Sequence, residues 1–248
     1  MPFISTEGRA APSTLSILLY GAFGTGKSTF AATLPQPGYL LDFDDTAISY
    51  AREGMQWWRE PALWDRTLPI TQRWDLLRKE LQSLRDGTIQ GTALRSIVLD
   101  STTSLARMAM EYALALNRQR GPDGGPIWNV HRSMVRNLVE EVLGYVLAFP
   151  GIRCVIAHSE LVKHEITGEI VGQVNLPGKL TVEVPSMFDE VWLASATKTK
   201  EGMRYEINLE PTGWFQARSR LRGFFGSSIA TVPNEWNAII NIMQKKGA

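Results

Sequence analysis

Residues 15–29 read Leu-Ser-Ile-Leu-Leu-Tyr-Gly-Ala-Phe-Gly-Thr-Gly-Lys-Ser-Thr. From Gly21 to Ser28 the stretch matches G-x-x-x-x-G-K-[ST], the loop whose backbone N–H groups wrap nucleotide phosphates. Such a loop needs a strand before it and a helix behind it. Leu15 to Tyr20 is apolar enough for a buried strand, and Lys27 to Leu34 reads as a helix stopped by Pro35 and Pro37. Gly21, Ala22, Phe23, Gly24, Thr25, Gly26, Lys27, Ser28 and Thr29 are therefore the candidate phosphate cradle. Lys27 is expected to reach the outer phosphates and the Ser28 hydroxyl to ligate Mg2+.

Outward from this loop, the pattern alternates short apolar strands with longer amphipathic stretches. Gly38 to Asp44 and Ser96 to Asp100 read as strands ending in acid, and Arg153 to His158 as a strand ending in histidine. Thr71 to Asp86 places Trp74, Leu77, Leu81 and Leu84 on one helical face, with Gly87 beyond it. Helices are expected to about Leu116, from about Val130 to Ala148, and from Asn234 to Lys246. This order predicts an α/β fold, a mostly parallel sheet with helices on both faces and its ligand site at the carboxyl ends of the strands.

Composition bounds the rest. The 248 residues are 44% hydrophobic and 21% charged, consistent with one domain over 1–248, its core about 15–226. Lys plus Arg number 26 against 25 for Asp plus Glu, so any nucleic-acid surface must be a local patch. A single cysteine, Cys154, excludes a disulfide framework and a Cys-rich zinc site, and its mid-strand place makes it a core residue. No stretch has the length of a membrane span, so no membrane partner and a cytoplasmic setting are expected.

Asp100 ends a strand where a carboxylate holds a magnesium-bound water; a helix N-cap, with Ser101 next, is the plainer account. Asp42, Asp44 and Asp45 offer a general base. Asp42 lies within the strand, which favours Asp44 and leaves Asp45 open; an acidic helix start is the alternative. His158, at a strand end beside the P-loop strand, could sense a γ-phosphate or be an edge residue. His131 and His164 have no such placement.

Taken in order, these pieces resemble RecA-type ATPases. Ser96-Ile-Val-Leu-Asp-Ser-Thr-Thr-Ser-Leu105 resembles the Walker B strand and its turn. Leu41-Asp-Phe-Asp-Asp-Thr-Ala47 is similar to the segment carrying the water-activating acid, with Asp44 where that family has Glu. His158 falls where the family places a Gln coupling the γ-phosphate to DNA loops. Trp214-Phe-Gln-Ala-Arg-Ser-Arg-Leu-Arg-Gly223 resembles a K-x-R-x-x-G element that reaches the neighbouring subunit's nucleotide. Arg218 stands at its Lys position and Arg220 at its finger Arg; Lys198 and Lys200 are rival candidates, and a solvated strand pair is the alternative.

The whole, roughly Leu15 to Gly226, resembles the phage core-only RecA-like ATPases that act as single-strand annealing proteins. That resemblance implies ATP and Mg2+, single-stranded DNA, a homo-oligomeric ring or filament, and cooperation with a single-strand-binding protein. It also implies a host-cytoplasm setting. About fourteen residues before the first strand are too few for a separate polymerisation domain, so assembly is expected to use the core. The first DNA loop would be 117–132, with Arg118, Arg120, Trp128 and Arg132 among glycines, a mixture suited to single strands. A mobile surface loop is its alternative. The second would be 159–185, with a hairpin turning at Thr167-Gly168. The tryptophan-rich 55–64 is expected to form a small subdomain.

Other P-loop classes fit less well. Residues 197–202, Thr-Lys-Thr-Lys-Glu-Gly, lack the Asp of a guanine reader, and no lid-like helical pair marks a small-molecule kinase. A DNA-packaging or loader ATPase of the wider AAA type remains the nearest rival. A nucleotide-switched mediator with negligible turnover is the non-enzymatic one.

Overall fold

The computed structural model describes residues 13–51, 53–163, 168–225 and 229–245. In chain order the elements are β1 (Leu15–Gly21), α1 (Lys27–Ala32), β2 (Gly38–Asp42), β3 (Trp57–Trp58), α2 (Ile70–Ser83), β4 (Thr88–Ile89), β5 (Thr92–Ala93) and β6 (Ser96–Asp100). There follow α3 (Thr102–Leu116), α4 (Trp128–Ala148), β7 (Ile152–Lys163), β8 (Ile170–Val174), α5 (Leu180–Ser186), β9 (Glu190–Thr199), β10 (Gly202–Asn208), α6 (Arg222–Phe225), β11 (Thr231–Pro233) and α7 (Trp236–Lys245).

The main sheet runs β11-β10-β9-β1-β7-β6-β2-β3, with β8 paired to β7 and β4-β5 a separate ribbon. From β9 to β3 every pairing along this path is parallel; β10 and β11 add antiparallel strands at one edge. Strand β7 lies between the P-loop strand β1 and β6, and in the β1–β7 register Gly21 is opposite His158. The α/β expectation and the mostly parallel sheet are both met.

Side-chain alternation divides the interior in two. Leu18, Tyr20, Leu41, Ile97, Leu99 and Val155 point to a core covered by α2, α3, α4 and α5. Ile17, Leu19, Leu40, Val98, Cys154 and Ile156 point to a second core covered by α1 and α7. A strand that is apolar on both faces has to be buried on both faces, which is why these runs read as continuous rather than alternating hydrophobicity. On α2 the expected face is buried: Trp74 stacks on Tyr112 of α3, ring centroids 5.0 Å apart and planes 8° from parallel. That face of α2 thus meets α3 rather than the sheet alone.

Helices α1 and α2 end two or three residues short of the sequence reading and α7 begins two residues later than expected, and three larger differences bear on the site. Strand β2 stops at Asp42, so Asp44 sits in the loop beyond it. Strand β7 continues past His158 to Lys163, because the returning β8 gives its polar end a hydrogen-bonding partner. The tryptophan-rich segment is not a subdomain of its own: Trp57 and Trp58 add β3 to the edge of β2, and Trp57 packs edge-on against Tyr50. His164, Thr167 and the ends of the expected core and last helix, Gly226 and Lys246, lie outside the described residues.

Candidate functional site

At the carboxyl ends of β1, β2, β6 and β7 lies a cleft of about 400 Å3, lined by residues 23–29 together with Asp44, Thr46, Ser49, Asp100 and His158. The loop from Gly21 to Gly26 turns through two left-handed glycines, Gly24 at φ 75° and Gly26 at φ 81°. A Cβ on Gly24 would meet nothing within 4 Å, so that side of the loop is an open cradle. Gly21 has no such room, since a Cβ there would come 2.5 Å from the Ala194 carbonyl of β9.

Lys27 is buried and donates from Nζ to the carbonyls of Gly21 (3.0 Å) and Ala22 (2.7 Å). Burial lowers the pKa of its ammonium, while the carboxylates of Asp100 and Asp44 act against that shift. The charge is thus held where a phosphate would both bind it and relieve its desolvation.

Asp100 is buried at the end of β6, and a single oxygen, Oδ2, accepts from Ser28 Oγ (2.7 Å), Thr46 Oγ1 (2.9 Å) and Tyr50 OH (3.3 Å). Burial raises its pKa to about 6 in spite of these donors. The Ser28 hydroxyl and the Asp100 carboxylate are hard oxygen donors placed side by side, the kind magnesium takes. Among the described residues no group of three or more His, Cys, Asp or Glu could hold a metal alone. A magnesium ion here would take its remaining ligands from phosphate oxygens and water, so the donor set suits a metal–nucleotide complex.

The three acids at and beyond the end of β2 separate cleanly. Asp42 faces inward and accepts from the backbone N–H groups of Thr46 and Ala47, with Arg59 at 2.9 Å. It organises the turn rather than the chemistry. Asp45 has φ 55° and faces Arg59 at 3.6 Å on the surface. Asp44 alone lines the cleft; its Oδ2 accepts from Ser101 Oγ at 2.7 Å and lies 3.6 Å from His158 Nε2. Burial pushes its pKa up, but hydrogen bonds from His158, Ser104 and Ser101 outweigh that and hold it below the ordinary value, so it is ionised at neutral pH. An ionised carboxylate beside the phosphate cradle can orient a water.

His158 is partly exposed in the cleft, and its backbone N–H donates to Thr103 Oγ1 while its carbonyl accepts from Asn175 N. Thr103 Oγ1 in turn donates to the Asn175 carbonyl. The residue that borders the cleft therefore also begins the β7–β8 hairpin. By contrast, His131 is fully buried and bonded to the Ile127 and Asn117 carbonyls, closing the first loop, and Cys154 is a buried core thiol.

Other candidates lie apart from the cleft. Arg220 pairs with Asp189 at 3.0 Å, and Asp189 also accepts from the Ser16 backbone and hydroxyl. Ser16 is five residues from Gly21 along β1, about 17 Å in an extended strand, so Arg220 does not approach its own P-loop. Arg218 donates to the Pro185 and Phe188 carbonyls. Lys198 and Lys200 are exposed in the β9–β10 hairpin, which extends beyond the level of Gly21. Trp128 and Arg132, expected in the first loop, instead lie in the first two turns of α4, where Trp128 is 52% exposed with the Arg132 guanidinium 5.1 Å over its ring. Arg118 is exposed, whereas Arg120 folds back to bond the Leu114, Asn117 and Gln119 carbonyls.

Several site residues carry no sequence signature. Thr46, Tyr50 and Thr103 act through single hydroxyls, which no spacing rule singles out, whereas Ser101, marked beside Asp100 at the helix start, caps α3.

With this geometry in place, the comparisons with known proteins are specific at the family level. The model of the AAA domain matches residues 13–221. The chain belongs to the AAA-domain family. This makes it a P-loop ATPase by family, and Gly21–Ser28 supplies the family's phosphate loop. A KaiC-like protein of the hyperthermophilic archaeon Pyrococcus horikoshii OT3 is similar in structure at 16% identity and a TM-score of 0.49, over 88% of this chain and 84% of that one. No curated protein matches the sequence. No helix among the described residues is long and apolar enough to cross a membrane.

Proposed function

We propose that this AAA-domain protein is a RecA-like ATPase of phage recombination type, hydrolysing ATP between subunits to control its hold on single-stranded DNA. Lys27 binds the outer phosphates, and Ser28 with Asp100 would hold magnesium, which supplies charge neutralisation when bound. Asp44 orients the attacking water, and Arg220 of a neighbouring copy stabilises the developing negative charge. His158 reports the γ-phosphate to the β7–β8 hairpin, and hydrolysis switches DNA affinity or assembly.

The observation that carries this reading is the double role of His158. Its ring lies 3.6 Å from Asp44, while its backbone opens the hairpin expected to meet DNA. Support for a DNA-facing surface here is the exposed Trp128–Arg132 pair at the start of α4, a cation beside a stacking ring just after the first loop. Arg220 can act only on another copy, given its distance from its own cradle, and this is why the proposal includes a homo-oligomer.

The pairing of Arg220 with Asp189, and of Arg218 with its own carbonyls, favours a second reading: a nucleotide-switched DNA mediator with negligible turnover. Phosphate release with and without single-stranded DNA, alongside particle size in ATP, separates the two. Stimulation together with assembly supports the ATPase reading. Binding without turnover supports the switch, and absence of both DNA stimulation and assembly overturns the recombination reading.

A further inference from the structure

The phosphate loop is gripped from the far end of the chain. Asn234 Nδ2 donates to the Gly26 carbonyl at 3.0 Å, across 208 positions. Two residues later, Trp236 N donates to Thr33 Oγ1 at 2.9 Å, so 234–236 bracket α1 from its first carbonyl to its C-cap. Trp236 is buried in the core under α1, which makes the brace rigid. Gly26 is closed in laterally: a Cβ there would lie 2.7 Å from Asn234 Nδ2 and 3.1 Å from the Tyr205 ring of β10.

We propose that Asn234 is a positioning residue for nucleotide binding, aiming the Lys27 backbone N–H at the phosphates by holding the Gly26 carbonyl. The peptide between Gly26 and Lys27 is one plane, and a trans peptide sends its carbonyl and its N–H in opposite directions. Fixing the oxygen from the β11–α7 side fixes the N–H on the cleft side. The Gly26 oxygen also accepts Phe30 N at 2.9 Å, but that bond runs along α1 and leaves rotation about the helix axis to be set from outside.

Stability alone does not account for the amide. Asn234 Oδ1 is buried with no hydrogen-bond partner among the described residues. An unsatisfied buried acceptor costs about as much as one ordinary hydrogen bond returns. An amide held on those terms serves its donor end, and that end donates to the carbonyl of Gly26 in the phosphate loop.

The inference rests on the nucleotide-binding reading of the cleft. Its test is calorimetric titration of the full chain with ADP and Mg2+, beside thermal melting, for wild type, Asn234→Ala, Asn234→Asp and Thr33→Val. Asn234→Ala should weaken ADP binding about 5- to 10-fold, the loss of one hydrogen bond, with melting within about 2 °C of wild type. Asn234→Asp keeps the packing but turns an acceptor toward the Gly26 carbonyl, and should weaken binding more. Thr33→Val loosens the other anchor, lowering the melting temperature with affinity within about twofold. ADP affinities of both Asn234 variants within twofold of wild type overturn the proposal, whatever their melting. Absence of binding by the wild type overturns the nucleotide reading, and the inference with it.

Discussion

Replacing Asp100 by Asn should make the nucleotide-free protein more stable while ending its chemistry. The Asp100 carboxyl is buried with its pKa raised from 3.8 to about 6 by desolvation. A carboxyl raised in the fold favours folding when protonated. Its contribution is complete below pH 3.8 and is lost as pH rises through 6, leaving the ionised form at pH 7.5 with a cost of about 3 kcal/mol. About 2 kcal/mol of that loss falls between pH 4.5 and 7.5. The amide keeps an acceptor for Ser28, Thr46 and Tyr50, though its new N–H2 group costs about 1–2 kcal/mol at any pH. The net gain at pH 7.5 is therefore about 1–2 kcal/mol, or ~2–8 °C in melting temperature for a chain of this length. The assay is urea unfolding in EDTA, wild type against variant, at pH 4.5 and 7.5. A stability difference that stays flat between those two values refutes the argument, because only the ionisation of Asp100 makes it change. Phosphate release with magnesium should meanwhile fall at least 100-fold, the carboxylate charge being what the metal needs.

Removing the Lys27 ammonium in Lys27→Ala should abolish phosphate release, and DNA annealing with it; annealing that persists undiminished would show the hydrolysis is not coupled to it. Ser101→Ala deletes a hydrogen bond that helps keep Asp44 ionised, so the acid limb of the pH–rate profile should move upward, measured as steady-state turnover from pH 4 to 8. Arg220→Ala should eliminate turnover in the assembled protein while leaving ADP affinity of the single subunit unchanged; normal turnover in that variant excludes a role across the interface. Gly26→Ala forces a side chain into a left-handed position with no room, and should weaken ADP binding more than tenfold and destabilise the fold by about 1–2 kcal/mol, read by calorimetry and urea unfolding.

Strands β1, β2, β6 and the first half of β7 were legible because each carries an unbroken apolar run, and the phosphate loop because its residue types are forced by backbone approach and charge. Asp100 and His158 were legible through topology, as polar residues ending buried strands. The inner part of the site was less so. Asp44 could be preferred to its neighbours only because Asp42 lies in the strand; what singles it out in three dimensions is Ser101 Oγ, from a different element. Asn234 carried even less signal, since Pro-Asn before an amphipathic stretch reads as an ordinary helix start. Its partner is a backbone carbonyl 208 residues away, and a carbonyl has no letter in a sequence. The tryptophan pair 57–58 was misjudged because two residues are too short for any periodicity to register.

Both outer strands of the main sheet are stubs: β3 has two residues, and β11 has three, the last a proline. A stub offers almost no unpaired backbone for another chain to extend, and proline withholds a donor at the far edge. At these two strands, copies of this protein find little backbone to join by continuous sheet, the route that leads to fibres that do not come apart. An assembly of the kind proposed would, at these two ends of the sheet, be held by side chains, a joint that can open again.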